Sequence, residues 1–360
     1  MRYKTILITG GAGFIGSNLA VFLKQRYPKT RVIALDNLKR RGSELNLARL
    51  KGHGVIFAHG DIRNPEDLAL DIREGLLVEC SAEPSVLAGY TDNPAYLINT
   101  NLVGTVNCLE FARKNRCDVI FLSTSRVYPY AAVNAIKAGQ DDTRFRWLAS
   151  QRIPGWSPAG ICAGFTTDGP RTLYGTTKLA SEFILQEYAQ AYGIKTVVNR
   201  CSVVAGPWQF GRLDQGVFAL WMLAHYFKRP LRYIGFGAQG KQVRDVLHID
   251  DLCALIDRQI VSLPRISGNT YNVGGGNASS LSLREATGLC ERITGNRIRI
   301  TRTPTQRPGD IRIYITDNRR VSADTGWKVK KAPPAVLNDI FTWIRGHERA
   351  LTQGMGGGRG

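Results

Sequence analysis

The chain has 360 residues, 43% of them apolar, and 48 Lys and Arg against 29 Asp and Glu give a formal net charge of +19. That length and apolar content can bury a sizeable core and allow two domains, or one large one with an appendage. No apolar run approaches the roughly 18–20 residues needed to cross a bilayer, and the N-terminus lacks a secretion-signal progression, so a cytoplasmic protein with no membrane partner is expected. Lys and Arg are spread along the whole chain, not clustered with aromatics. The charge therefore reads as a solvated surface, with no nucleic-acid partner. Seven cysteines, none two residues from the next, and five scattered histidines give no disulfide framework and no metal site.

In chain order, Thr5–Ile8 reads as a strand that ends in a glycine cluster, and Ile15–Arg26 reads as the helix after it. Gly10, Gly13 and Gly16 have the spacing of a dinucleotide turn: one glycine for the turn, one for approach to a pyrophosphate, one for helix packing. The helix N-terminus faces the phosphates with free N–H groups. The next strand, Val32–Leu35, stops at Asp36, placed to accept from a ribose hydroxyl. Such a carboxylate repels a 2′-phosphate, so NAD is expected over NADP, although Lys39, Arg40 and Arg41 stand close by. Further strands are predicted at Val55–Ala58, Leu76–Val78, Asp118–Leu122 and Lys195–Asn199, with helices at Pro94–Asn115 and Leu173–Tyr192. This rhythm predicts an α/β fold, a doubly wound parallel sheet of Rossmann type over residues 1–200. A smaller C-terminal substrate domain is expected over 201–350, with elements near 242–260 returning to the first domain and a disordered tail at 353–360. Residues 128–173 lack clear periodicity, and a loop of that length before a helix reads either as part of a pocket or as a structural insertion.

Tyr174 and Lys178 lie four residues apart in the helical pattern, so they share one face. A neighbouring ammonium favours the phenolate and lowers a phenol's pKa, which lets tyrosine act as a general base. Thr124 follows the run Asp118–Leu122, at the carboxyl end of a strand where this fold places its site. Its hydroxyl can hold a substrate oxygen against Tyr174.

The motifs TGGAGFIGSN, GDI at Gly60–Ile62, Asn101 in NLVGT, STSRVY and YGTTK together resemble an extended short-chain dehydrogenase/reductase. GKQVRDVLHIDD, YNVGGG and TQRPGD resemble the nucleotide-sugar epimerases and dehydratases of that group. DNLKRRGSELNL, HGDIRN, DQGV and DTGW bring the likeness to the CDP-paratose 2-epimerase (CDP-tyvelose epimerase) family. The resemblance implies an NAD-dependent isomerase that inverts carbon 2 of a CDP-hexose through a transient 2-keto sugar, with a nucleotide-sugar 4-epimerase or another nucleotide-sugar enzyme of the group as the alternative. It implies that Gly10, Gly13, Phe14, Ile15 and Gly16 hold the pyrophosphate, and Asp36 and Asn37 the adenosine ribose. Asp61 and Ile62 would flank the adenine, and Ser81, Ala82 and Asn101 would line the cofactor further in. Tyr174 and Lys178 would also reach the nicotinamide ribose. Arg244 and Arg307 would take the substrate diphosphate and Asp310 its ribose. A homodimer or homotetramer is expected.

Three positions depart from the wider group. Glu79 stands where a histidine is usual, Val203 where an asparagine often contacts the sugar, and Pro129 follows Val127-Tyr128 in place of glycine. Ser125 and Arg126 stand where a 4,6-dehydratase carries Asp-Glu, which argues against elimination chemistry.

Overall fold

Strongly apolar runs, rich in β-branched residues, are what a sheet covered on both faces requires. In the computed structural model, which describes residues 1–90, 93–210 and 216–356, seven strands pair in parallel, the central ones being such runs. They are β1 (Thr5–Thr9), β2 (Arg31–Asp36), β3 (Ile56–His59), β4 (Leu76–Glu79), β5 (Asp118–Thr124), β6 (Thr196–Cys201) and β7 (Asn269–Val273). Their order across the sheet is 3-2-1-4-5-6-7. The reversal of direction beside β1 opens a crevice at the strands' carboxyl ends, where this topology binds dinucleotides.

The pleat splits the strand residues between two cores. Ile6 and Ile8 of β1 pack with Leu19, Ala20 and Leu23 of α1 (Phe14–Arg26) and with Leu252, Leu255 and Ile256 of the helix Ile249–Ile266. Leu7, between them, packs on the other face with Leu109 and Phe111 of α2 (Gly104–Asn115) and Leu185 of α3 (Leu173–Tyr192). The helix expected over Pro94–Asn115 is interrupted by a π turn at Asn99–Val103, a distortion that often marks a functional position.

The second lobe has its own apolar core, with Trp221, Met222, Leu281, Val336, Leu337 and Ile340 among its buried residues. Its sheet pairs Val203–Ala205, Val243–His248, Ser280–Ser282 and Ile313–Tyr314. The strand Val243–His248 thus belongs to this second sheet, while the helix that follows and β7 return to the first. Residues 128–173 are not a bare loop. They form the helix Tyr130–Ala135 and two small hairpins around Tyr128, Trp156, Ile161 and Phe165. The last helix runs to Gly356, inside the tail expected to be disordered. Residues 357–360, like Asp214 and Gln215 of the DQGV motif, lie outside the described residues. No described helix is long and apolar enough to cross a membrane.

Candidate active site

The cofactor cleft is built first from backbone. β1 is followed by Gly10, which has φ +62°, and a Cβ on Gly16 would lie 2.2 Å from the Gly10 carbonyl oxygen, so only glycine lets α1 start so close to the strand. Gly13 caps α1 without any side-chain bond, which leaves the first N–H groups of the helix open to the cleft. Gly10, Gly13, Phe14, Ile15, Gly16, Asp36, Asn37, Asp61, Ile62, Ser81 and Ala82 all line it.

Asp36 accepts from the backbone N–H of Ala12 at 3.0 Å and of Leu38 at 2.8 Å. Burial pushes its carboxyl pKa up, and the backbone donors work against that. Asn37 donates to Asp61 at 2.9 Å. Burial acts to raise the Asp61 carboxyl, but bonds from Arg63 and Asn37 take it down to about 2. An uncapped helix N-terminus beside a strand-end carboxylate suits a dinucleotide diphosphate and its ribose, so the residues fit NAD.

Asn101 is placed differently. It is fully buried, its Oδ1 accepting from the Glu83 N–H at 2.7 Å and its Nδ2 donating to the Glu83 carbonyl at 3.0 Å. Its carbonyl accepts from Ser181 of α3 at 2.9 Å. It does not line the cleft; the π turn aims it at the segment after β4, which it clamps to α3.

Thr124, Tyr174 and Lys178 meet at the carboxyl end of β5 and the start of α3 and line one chamber. Thr172 caps α3 by accepting from the Gly175 N–H. A Cβ on Gly175 would lie 2.0 Å from the Arg126 carbonyl oxygen, so glycine beside the tyrosine lets α3 dock on the turn after β5. Burial pushes the Tyr174 phenol up to about 12, and the bond with Thr124 and the charge of Arg126 pull it down. Lys178 faces Glu79, with 3.5 Å between ammonium and carboxylate.

Glu182, one turn beyond Lys178, binds Ser123 of β5 and forms a buried ion pair with Arg200 of β6 at 2.7 Å. Arg200 in turn donates to the Tyr128 hydroxyl at 3.1 Å, and that hydroxyl donates to Asn272 of β7 at 2.6 Å. This network sets the helix's height against three strands. Glu182 was not among the residues singled out from the sequence, although the spacing Tyr174, Lys178, Glu182 carries the signal.

Arg244, Arg307 and Asp310 line the same chamber, and Arg126, expected only as a departure, joins them. Strand alternation sends Arg244 into the chamber and its neighbour Asp245 the other way, where Asp245 accepts from the N–H groups of Gly276 and Thr316. Arg244 donates to the Ile311 carbonyl at 2.6 Å and lies 3.4 Å from Asp310. Burial, then the charge of Arg126, lowers its pKa to about 10. Arg126 donates to the Gly309 carbonyl at 3.0 Å. Asp310 keeps one buried oxygen, Oδ2, without a donor.

No residue of 128–173 lines the chamber. Asn134 instead bonds the Asp310 carbonyl at 3.0 Å and accepts from the Arg312 N–H at 2.8 Å. Of the two readings of this segment the structural one holds: it is a buttress, its apolar side chains consumed in a core of their own with Ile311 and Tyr314.

The sequence profile of the NAD dependent epimerase/dehydratase family matches residues 6–274. The chain is 32% identical to the CDP-paratose 2-epimerase of Salmonella typhi, over 94% of this chain and 98% of that protein. It is 29% identical to a dTDP-glucose 4,6-dehydratase of Xanthomonas campestris, over 90% of this chain and 88% of that one. Among solved structures, a UDP-glucose 4-epimerase of Thermus thermophilus in complex with NAD has a TM-score of 0.74 and 25% identity, over 95% of this chain and 99% of that chain.

Proposed function

The chain belongs to the NAD dependent epimerase/dehydratase family, and from that premise we propose that it inverts carbon 2 of a CDP-linked hexose. One observation carries the choice of epimerisation. Among the described residues, Asp310 is the only carboxylate lining the chamber, and it is tied to Arg244. Loss of water from a sugar needs an acid and a base beside the tyrosine, and Ser125 and Arg126 stand there instead. The choice of CDP and carbon 2 is supported by the near full-length likeness to CDP-paratose 2-epimerase. Val203 lines the chamber with an apolar surface, which weighs against the polar sugar contact made at that position in carbon-4 epimerases.

In this reading the two arginines, Arg244 and Arg307, pair with the substrate diphosphate, and the open oxygen of Asp310 accepts from its ribose. Thr124 holds the sugar hydroxyl and Tyr174 takes its proton, returning it at the end. When bound, NAD supplies the hydride acceptor and donor. Phe218, Leu220, Trp221 and Leu231 give the 2-keto sugar an apolar wall on which to turn its other face.

The test is to incubate the purified protein with CDP-, UDP-, GDP- and dTDP-sugars and read the products by NMR. A carbon-2 epimer from a CDP-sugar is expected. With substrate deuterated at carbon 2 in ordinary water, the label should be retained in the product. A carbon-4 epimer, a dehydrated product or label lost to water each rejects the reading.

A further inference from the structure

Glu79 ends β4, between Thr9 of β1 and Phe121 of β5 in register. It is 1% exposed and Lys178 is 2% exposed. The Lys178 ammonium lies 3.5 Å from Glu79 Oε2 and 4.1 Å from the centroid of the Phe121 ring. Neither Glu79 oxygen has a hydrogen-bond partner of ordinary length; burial pushes its carboxyl pKa up, and the Lys178 ammonium, then the Ser81 N–H, draw it back towards the charged form. A buried ammonium without a counter-charge is costly, and this pair relieves it on both sides. The residues just after Glu79, from Cys80 to Ala82, line the cofactor cleft.

We infer that Glu79 is a positioning residue: it anchors Lys178 between β4 and β5 and offsets the charge that this ammonium presents beside Tyr174. The inference deepens the proposed function and rests on Tyr174 being its proton-transfer group.

The surroundings agree. The titratable and charged groups facing Tyr174 and Lys178 are Glu79 at the end of β4, Cys80 just after it, Cys108 from α2, Cys201 from β6 and Arg126 from the turn after β5. Burial raises the Tyr174 phenol, with Cys201 and then, least, the charge of Glu79 adding to it. The cation that lowers it is Arg126, on the substrate side. A firmly held proton suits the return step, in which Tyr174 must protonate the sugar oxygen.

The test needs no substrate. NAD-loaded protein labelled with 13C at tyrosine Cζ is titrated by NMR over its folded range, with the Tyr174 signal assigned by its loss in Tyr174→Phe. In Glu79→Gln, which keeps the shape and removes the charge, the phenolate curve should move to lower pH by about one unit. Glu79→Asp keeps the charge and should stay near the parent. Glu79→His, neutral in that range, makes the same test should the glutamine variant not fold. A curve that superimposes on the parent or moves upward overturns the inference, as does an equal shift in Glu79→Asp. Failure of the nucleotide-sugar panel would reject the proposed function and leave this titration to decide the role of Glu79.

Discussion

The cofactor cleft takes most of its groups from short stretches close in sequence: the turn from Gly10 to Gly16, Asp36–Asn37, Asp61–Ile62 and Ser81–Ala82. The chamber beside Tyr174 draws single side chains from across the chain, and Arg126 reaches Gly309 across 183 positions. The cleft works largely through backbone N–H groups and places where a Cβ has no room. The chamber works through charged side chains whose positions are set by other elements. The cleft should therefore fail when atoms are added and the chamber when they are removed.

The largest expected effect is in the chamber. Tyr174→Phe should lower turnover by about 10²–10⁴-fold, with folding and NAD content unchanged because the ring stays. A variant that keeps most of its activity would mean that another group carries the proton. Arg244→Met or Arg307→Met should raise the substrate KM by about 10–100-fold, matching a charged hydrogen bond of about 1.5–3 kcal/mol. If NAD content fell as well, the two sites would not be separable in the way described.

In the cleft, Gly16→Ala places a methyl against the Gly10 carbonyl. It should cost about 1–3 kcal/mol of stability as overpacking and strip the protein of NAD, read by denaturant unfolding and by the nucleotide released on heating. Full NAD content in that variant would break the backbone account of the cleft.

The smallest effect concerns Asp61, whose carboxyl lies at about 2 in the folded protein against an ordinary 3.8. A folded pKa below the unfolded one stabilises at pH above the unfolded value, and that contribution is lost as pH falls through the folded value. Stability should thus fall between about pH 4 and pH 2, and less steeply in Asp61→Asn. Equal slopes in unfolding titrations would show the pair with Arg63 to be energetically idle, as exposed pairs often are.

The six strands expected over the first two hundred residues appear within one or two residues of their predicted bounds, as do the ends of the helices at 14–26 and 173–192. Apolar runs, glycine spacing and helical periodicity are local properties, and local steric and burial rules are enough to place them. The same locality made the dinucleotide turn and the face shared by Tyr174 and Lys178 legible. Contacts between distant residues decided the rest. Asn101 is spent on Glu83 because a π turn re-aims it, and no pattern of residue types in NLVGT announced that turn. Residues 128–173 looked shapeless because their core is shared with Ile311 and Tyr314, far along the chain. The proton affinity of Tyr174 follows from burial, Thr124, Cys201, Arg126 and Glu79, groups on separate elements that meet only when the sheet has formed. Charge in a buried site acts through space, so the sequence by itself could single out Thr124, Tyr174 and Lys178 as candidates but not the fields that act on them.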